Sequence, residues 1–194
     1  MGLPAKLAIT NSNYCEYGNS IENLVTLRIS EDIPLGKGGT LSMDVGGRHN
    51  TGRNSHTGKY TTSFDGFFEA KYKQKFTDNL RGYVRYRNYD KTEQLRLAFG
   101  GSVPLNDEWG VYADAHWTHK TDMNYNPDNG KKPINTAGFW IGAEYSPKSV
   151  PGLSVWVEPF QINVKTQKVL GEDEKRCAYC GNIGVTWTIG KSKQ

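Results

Sequence analysis

The sequence predicts an all-β protein that forms a closed, up-and-down antiparallel transmembrane β-barrel of about ten strands. Apolar and charged residues alternate almost without interruption from Phe64 to Phe99, and the alternation recurs along the chain. Side chains on a strand point to opposite faces with a period of two, whereas a helix requires apolar residues three and four positions apart. The connections are short and long in turn, as in barrels with tight turns on one rim and longer loops on the other.

The alternation divides the 194 residues into ten predicted strands within one domain, residues 1–194. The strands are predicted at residues 5–12, 22–32, 39–48, 64–76, 80–89, 94–103, 109–119, 137–146, 153–165 and 182–190. Short turns are predicted at 34–38, 77–79, 104–107 and 146–149, and the other rim at 13–21, 49–63, 90–93, 120–136 and 166–181. An even number of strands places both termini on the rim with the short turns.

The two central strands show the alternation most clearly. In the strands at 64–76 and 80–89, one parity is mostly apolar or small and the other is largely charged. The first parity contains Phe64, Gly66, Phe68, Ala70, Tyr72, Phe76, Leu80, Val84 and Tyr86, and the second contains Asp65, Glu69, Lys71, Lys73, Lys75, Arg81, Arg85 and Arg87. Each strand therefore has one apolar and one charged face.

The strand at 109–119 indicates a membrane. Its outward parity starts at Trp109, ends at Trp117 and is apolar between them. Eight residues at about 3.4 Å each, tilted by about 40°, separate the two Trp by roughly 20–25 Å along the membrane normal. We therefore expect one Trp in each interfacial belt of aromatic side chains. The alternative is a soluble barrel or sandwich that holds these Trp in a core.

Pro159 interrupts the strand at 153–165, and the apolar parity changes there. Apolar side chains occupy one parity before Pro159 and the other parity after it: Leu153, Val155, Val157, then Phe160, Ile162, Val164. A Pro that changes the register predicts a β-bulge.

The composition fits a barrel that is apolar on its outside. Hydrophobic residues make up 36% of the chain and the mean hydropathy is -0.67, which is low for a protein with a dry core. In a membrane barrel the apolar face meets lipid and the lumen is polar. No apolar run is long enough for a transmembrane helix, and no signal peptide is visible at Met1, so we expect either a removed export signal or a chain that is not exported. A net charge of +4 does not indicate a nucleic-acid partner.

Two segments resemble bacterial outer-membrane proteins. The last strand, Ile183 to Ile189, resembles the final strand of outer-membrane barrels, although many of those end in an aromatic residue and this one continues through residues 190–194. The run from Thr77 to Arg87 resembles strands of the narrow, arginine-lined oligosaccharide channels of the KdgM type. The resemblance covers one hairpin and implies an outer-membrane location and sugar-like solutes.

Sorting by parity predicts a charged lumen. The inward cations are Arg28, Lys71, Lys73, Lys75, Arg81, Arg85, Arg87 and Arg96, and seven of these eight lie on three consecutive strands. Asp114, Glu144 and Glu158 come from later strands and face this basic wall, while Asp44, Asp65 and Glu69 flank it. Such a wall attracts anions into a pore. The alternative is that the charges neutralise one another and plug a narrow barrel.

A catalytic reading rests on Asp114 and His116, which share the lumen face. A carboxylate beside an imidazole can activate water, and outer-membrane proteases of the omptin type carry a similar Asp-x-His pair. Those proteases also carry an Asp-x-Asp pair across the cleft, which this chain lacks. We therefore do not expect an enzyme.

The three cysteines lie in predicted loops that become neighbours when the barrel closes. Cys15 is in the first loop, and Cys177 and Cys180 are in the last. A disulfide from Cys15 to Cys177 or Cys180 would tie the seam. Zinc is the alternative, but no His is near in sequence to complete four ligands, so we expect neither a metal nor another cofactor.

The sequence thus predicts a small, monomeric outer-membrane channel for passive passage of anionic or sugar-like small solutes, with membrane lipid as its surroundings. The competing prediction is a plugged structural barrel whose long loops meet surface partners, and the third is a hydrolase at the lumen rim.

Overall fold

The computed structural model describes residues 6–16, 20–54, 60–89, 92–122, 131–169 and 172–190, and these form ten strands. The strands are β1 Lys6–Glu16, β2 Ser20–Gly36, β3 Gly39–Asn54, β4 Tyr60–Lys75, β5 Leu80–Tyr89, β6 Thr92–Pro104, β7 Trp109–Asp122, β8 Lys131–Tyr145, β9 Leu153–Val169 and β10 Glu172–Ile189. Each strand pairs antiparallel with its neighbours in sequence, and β1 pairs with β10 to close the barrel. This confirms the predicted fold class and strand number. Among the described residues, no helix is long and apolar enough to cross a membrane.

The strands are longer than the sequence predicts on the rim opposite the short turns. The segments 13–21, 49–63, 120–136 and 166–181 were expected to be loops, but most of their described residues are strand. For example, β10 begins at Glu172 rather than at residue 182, and Thr51 pairs with Thr62 between β3 and β4. Backbone hydrogen bonds do not require an apolar face. The alternation therefore ends where both faces are polar, although the pairing continues.

The short turns are held by local hydrogen bonds. The backbone is left-handed at Gly36, Lys37 and Gly38, with φ of 75°, 48° and 79°, which explains the two glycines at this reversal. In another turn, the Asn106 carboxamide oxygen accepts hydrogen bonds of 2.9 Å from the backbone N–H groups of Glu108 and Trp109. These side-chain bonds fix the register of the hairpins that they close.

The barrel is apolar outside and polar inside. Large apolar side chains such as Leu27, Val45, Phe99 and Ile141 are exposed on the outer face. The buried side chains are mostly polar or charged: Ser12, Ser42, Asp44, Glu69, Asp114, His116, Thr118 and Asn163. A continuous exposed apolar surface of this kind is typical of a transmembrane barrel.

The bulge predicted at Pro159 is confirmed by the pairing. Asn182 of β10 is opposite Glu158, whereas Cys180 is opposite Gln161, so β9 has one extra residue here. The register against β8 shifts at the same place. As a result, Val157 before Pro159 and Phe160 after it are both exposed on the outer face.

Candidate functional site

Three neighbouring strands place cations side by side on the inner wall. Lys71 of β4 is directly opposite Arg85 of β5, and Arg85 is directly opposite Arg96 of β6. Directly opposed residues in antiparallel strands have Cβ atoms about 4.5–5.5 Å apart, and like charges there repel. A nearby acid or water is therefore needed to offset the repulsion at these positions.

Glu69 supplies the acid, and its side chain is 0% exposed. Its carboxylate accepts a short, charge-assisted hydrogen bond from Arg87, the residue directly opposite it in the sheet. Lys71 Nζ lies 3.7 Å from Glu69 Oε1, and Arg85 Nε lies 3.8 Å from Glu69 Oε2. Arg87 also donates a 2.5 Å hydrogen bond to the Tyr89 hydroxyl. Glu69 is therefore at the centre of the basic wall and does not merely flank it.

A second pair extends this arrangement toward β2 and β3. Arg28 lies 3.4 Å from Asp44, and Asp44 is directly opposite Glu69. The Phe67 ring lies between Arg28 and Arg87, with guanidinium carbons 5.8 Å and 5.6 Å from its centroid. We call this set the inner charge cluster: Arg28, Asp44, Glu69, Lys71, Arg85 and Arg87. Its four cations and two acids give a formal charge of +2.

Sequence reasoning missed the role of Glu69, although a signal existed. The turn at 77–79 is short, and residues counted outward from both of its sides pair in order. That count places Glu69 opposite Arg87 and Lys71 opposite Arg85. Parity alone identifies a face, whereas the contacts within a face require the register.

Other cations of the basic wall have no acidic partner. Within the described part of the chain, Lys73, Arg81 and Arg96 have no carboxylate at salt-bridge distance. Arg96 Nε donates a 2.9 Å hydrogen bond to the Thr118 hydroxyl, and its guanidinium carbon lies 5.5 Å from the Trp140 ring centroid. Arg81 is exposed and lies directly opposite Lys75 near the start of β5, whereas Lys73 and Arg96 are less exposed and lie further inside.

Lys75 lies on the rim and is paired there. Its Nζ is 2.7 Å from Asp78 Oδ1 in the turn, and both side chains are exposed. The hydrogen bond from Lys75 lowers the pKa of Asp78 below its usual value. Lys75 therefore contributes less to the lumen than the sequence predicts.

The opposite wall holds acids that are bound by neutral donors. The Tyr112 hydroxyl donates a 3.1 Å hydrogen bond to Glu158, and the Asn182 amide donates one of 3.3 Å to the same carboxylate. Trp140 Nε1 donates a 3.2 Å hydrogen bond to Asp114. The third acid, Glu144, is exposed and accepts a 2.5 Å hydrogen bond from the Ser154 hydroxyl. A lumen with a basic side and an acidic side stays a prediction.

Asp114 and His116 share a face of β7, and both side chains are buried. The His116 ring packs on Trp140 with centroids 4.4 Å apart, and His116 Nδ1 is buried without a hydrogen-bond partner among the described residues. No hydrogen bond between Asp114 and His116 is present in the described part of the chain.

Large inward side chains lie flat against the wall because glycines are opposite them. A Cβ at Gly46 would lie 2.7 Å from the Phe67 ring and 2.2 Å from the Leu27 carbonyl oxygen. A Cβ at Gly142 would lie 2.4 Å from the Tyr112 ring. No side chain can occupy these two positions without moving its neighbours. The rings thus lie across the backbone and leave the centre of the barrel to smaller or charged groups.

The two predicted belt tryptophans are both on the exposed face of β7. Trp109 packs on Tyr145 with ring centroids 4.8 Å apart, next to the short turns. Trp117 stacks on His119 at 5.9 Å, eight residues further along the strand. Their placement in two interfacial belts stays a prediction.

The cysteine prediction needs a correction at Cys177. Cys177 is exposed and free, because β10 extends through it and Cys15 is opposite Gly181, four residues away. Four strand residues span about 13 Å, which a disulfide cannot bridge. Cys180 is buried, and its sulfur accepts a hydrogen bond from Asn163 Nδ2 at 3.7 Å. The side chain of Cys15 lies outside the described residues, so a bond to Cys180 stays a prediction.

The resemblance of this chain to known proteins lies in its fold. No protein-family model and no curated protein sequence matches this chain. The structure resembles the KdgM porin solved with disordered oligogalacturonate (12% identity, 93% of this chain and 98% of that one, TM-score 0.45) and the NanC porin (14%, 93% and 98%, 0.45). It also resembles the translocator domain of the autotransporter NalP from Neisseria meningitidis (13%, 96% and 88%, 0.48). Similarity at this level does not assign a function; the protein is a ten-stranded barrel with a resemblance to outer-membrane barrels, porins among them.

Proposed function

We propose that the protein is a small passive channel of a bacterial outer membrane that admits anionic or sugar-like small solutes. The observation that carries this proposal is a pair of inward cations, Lys73 and Arg96, with no carboxylate at salt-bridge distance in the described part of the chain, inside a barrel with an apolar outer wall. Arg81 adds a cation at the rim, directly opposite Lys75. Cations on a low-dielectric wall attract counter-ions into the lumen.

The opposite wall supports the sugar-like part of the proposal. Gln161 Oε1 and Asn182 Oδ1 are buried there without hydrogen-bond partners among the described residues. Buried polar groups normally have a partner, which in a lumen is water or a solute. A hydroxyl-rich solute matches this wall, and an acidic group on it matches the basic wall.

Ion selectivity in planar bilayers tests the proposal. The purified protein should pass anions in preference to cations at low salt, and the preference should fall as the Debye length shortens from about 30 Å at 0.01 M to about 10 Å at 0.1 M. Lys73→Glu together with Arg81→Glu should weaken or reverse the preference. Lys37→Glu, the same kind of charge change in an exposed turn, is the matched control and should have a small effect.

Two outcomes would contradict the proposal. A correctly folded protein without conductance has a closed lumen. A channel whose reversal potential is the same in wild type and in the double variant does not use the basic wall.

The second candidate is a plugged structural barrel, and the inner charge cluster favours it. Glu69 is fully buried, and the side chains of Arg85 and Arg87 are only 12% and 15% exposed. Strands that continue past the apolar band would then present hairpins to surface partners. Absence of conductance in the same bilayer experiment supports this candidate and distinguishes it from the channel.

A further inference from the structure

The cations around Glu69 are not equivalent in their contacts. Arg87 is hydrogen bonded to both Glu69 and Tyr89. Lys71 and Arg85 lie near the carboxylate at 3.7 and 3.8 Å, beyond hydrogen-bond distance. Glu69 Oε1 and Arg85 Nε are both buried without a hydrogen-bond partner in the described residues. Arg85 Nη2 instead donates a 2.9 Å hydrogen bond to Gln94 Oε1, and Lys71 Nζ lies 5.8 Å from the Tyr83 ring centroid. One cation is therefore hydrogen bonded to the acid, and the other two are attracted to it without a hydrogen bond.

We infer that Glu69 divides this part of the inner charge cluster into one structural cation, Arg87, and two cations that meet the solute, Lys71 and Arg85. The inference rests on the proposed channel and names the residues that determine its specificity. Arg87 adds a charge-assisted hydrogen bond, the stronger class of hydrogen bond, to its ion pair with Glu69, so an entering anion competes for Lys71 and Arg85 before Arg87. Glu69 thereby sets how much positive charge the narrow part of the lumen offers.

The charge of the cluster gives the expected direction of each variant. Glu69→Gln keeps the size of the side chain and raises the cluster from +2 to +3. Adding Arg87→Gln to that variant restores +2 and removes both members of the tight pair. Glu69→Asp keeps the negative charge and should behave like the wild type.

Two measurements on the intact protein in planar bilayers test the inference: the reversal potential in a salt gradient, and block of the current by inorganic phosphate. In Glu69→Gln the permeability ratio of anions to cations should rise roughly fivefold at low salt, as expected for one unit charge about 8 Å from the ion path in water. Phosphate should block this variant more strongly. The Glu69→Gln/Arg87→Gln variant should keep the wild-type ratio and block.

Single variants separate the solute-facing cations from the structural one. Lys71→Gln and Arg85→Gln should each weaken phosphate block, whereas the double variant should keep it. Asp65→Asn on the same strand removes an acid paired with Arg48 at 3.5 Å and is the matched control, with a smaller shift because Asp65 is more exposed. Only variants that form conducting channels, and are therefore folded, are compared.

The outcomes are distinct from those that test the channel itself. A wild-type protein that does not conduct contradicts the proposed function. If the wild type conducts, two results overturn the inference. One is an equal change of the permeability ratio in Glu69→Gln and Asp65→Asn. The other is loss of phosphate block in the Glu69→Gln/Arg87→Gln variant. If Glu69→Gln alone does not fold, the double variant still decides, because the inference requires it to retain wild-type selectivity.

Discussion

At the scale of single residues, large inward side chains fit because the residue opposite them is a glycine, which has no side chain. Phe67 lies across Gly46, and Arg28 and Arg87 lie against the Phe67 ring. The ring therefore positions two cations of the inner charge cluster. A glycine on the neighbouring strand thus affects charges that it does not contact.

Gly46→Ala should destabilise the barrel by about 1–3 kcal/mol and narrow its lumen, because overpacked interiors force side chains and backbone to move. The new methyl group would contact the Leu27 carbonyl oxygen and push the Phe67 ring inward. Gly110→Ala is the control, since a Cβ there meets only the Val103 carbonyl oxygen at 3.6 Å. Urea unfolding in detergent and single-channel conductance measure the two effects. Equal conductance in both variants would show that the ring does not border the pore.

At the scale of strands, each element presents one face to lipid and one to the lumen. On β10 the change of environment occurs between adjacent residues: Val185 is exposed on the outer face, while Thr186 faces inward and bonds to Thr10 at 3.0 Å. On β9 the bulge at Pro159 adds one residue, so the parity of the outward-facing residues changes there.

Val185→Arg should destabilise the folded barrel by about 2–4 kcal/mol, the cost of Arg on a lipid-facing site near the middle of a bilayer. Thr186→Arg should cost much less, because its side chain enters a polar lumen. The free energy of unfolding, measured in lipid vesicles, is compared between the two variants. If both variants are equally stable, or if the wild type stays dissolved without detergent, the outer face is not in a membrane.

Deleting Pro159 should give a folded barrel, because the deletion turns β9 into a regular strand in which Val155, Val157, Phe160 and Ile162 share the outer parity. Deleting Ala113 from β7 should prevent folding, since the rest of that strand would exchange its lipid and lumen faces. Refolding yield into detergent, followed by circular dichroism, measures both. An unfolded Pro159 deletion would mean that the bulge itself is required.

At the scale of the whole molecule, the alternation of apolar and polar residues predicts the strands. It predicts neither where the strands end nor which side chains contact each other. It predicted the ten strands that the structure confirms, because the same difference between the two faces repeats on every strand. The set of residues that line the lumen stays a prediction. The alternation did not locate the ends of β9 and β10, because the water outside the membrane imposes no difference between faces. It also missed Glu69 as the centre of a cluster, because that role depends on how β3, β4 and β5 align.

The closing pair of strands has a consequence for how the protein is made. Every other neighbouring pair is joined by a hairpin, but β1 and β10 meet from opposite ends of the chain, where Leu7 pairs with Ile189. Local hairpins form before distant segments can find each other, so this pairing should be the last to form. Until then two strands have unpaired backbone groups, which hydrocarbon does not tolerate. Insertion and closure must therefore be coupled, and synthesis of the last strand sets the earliest moment at which a stable barrel exists.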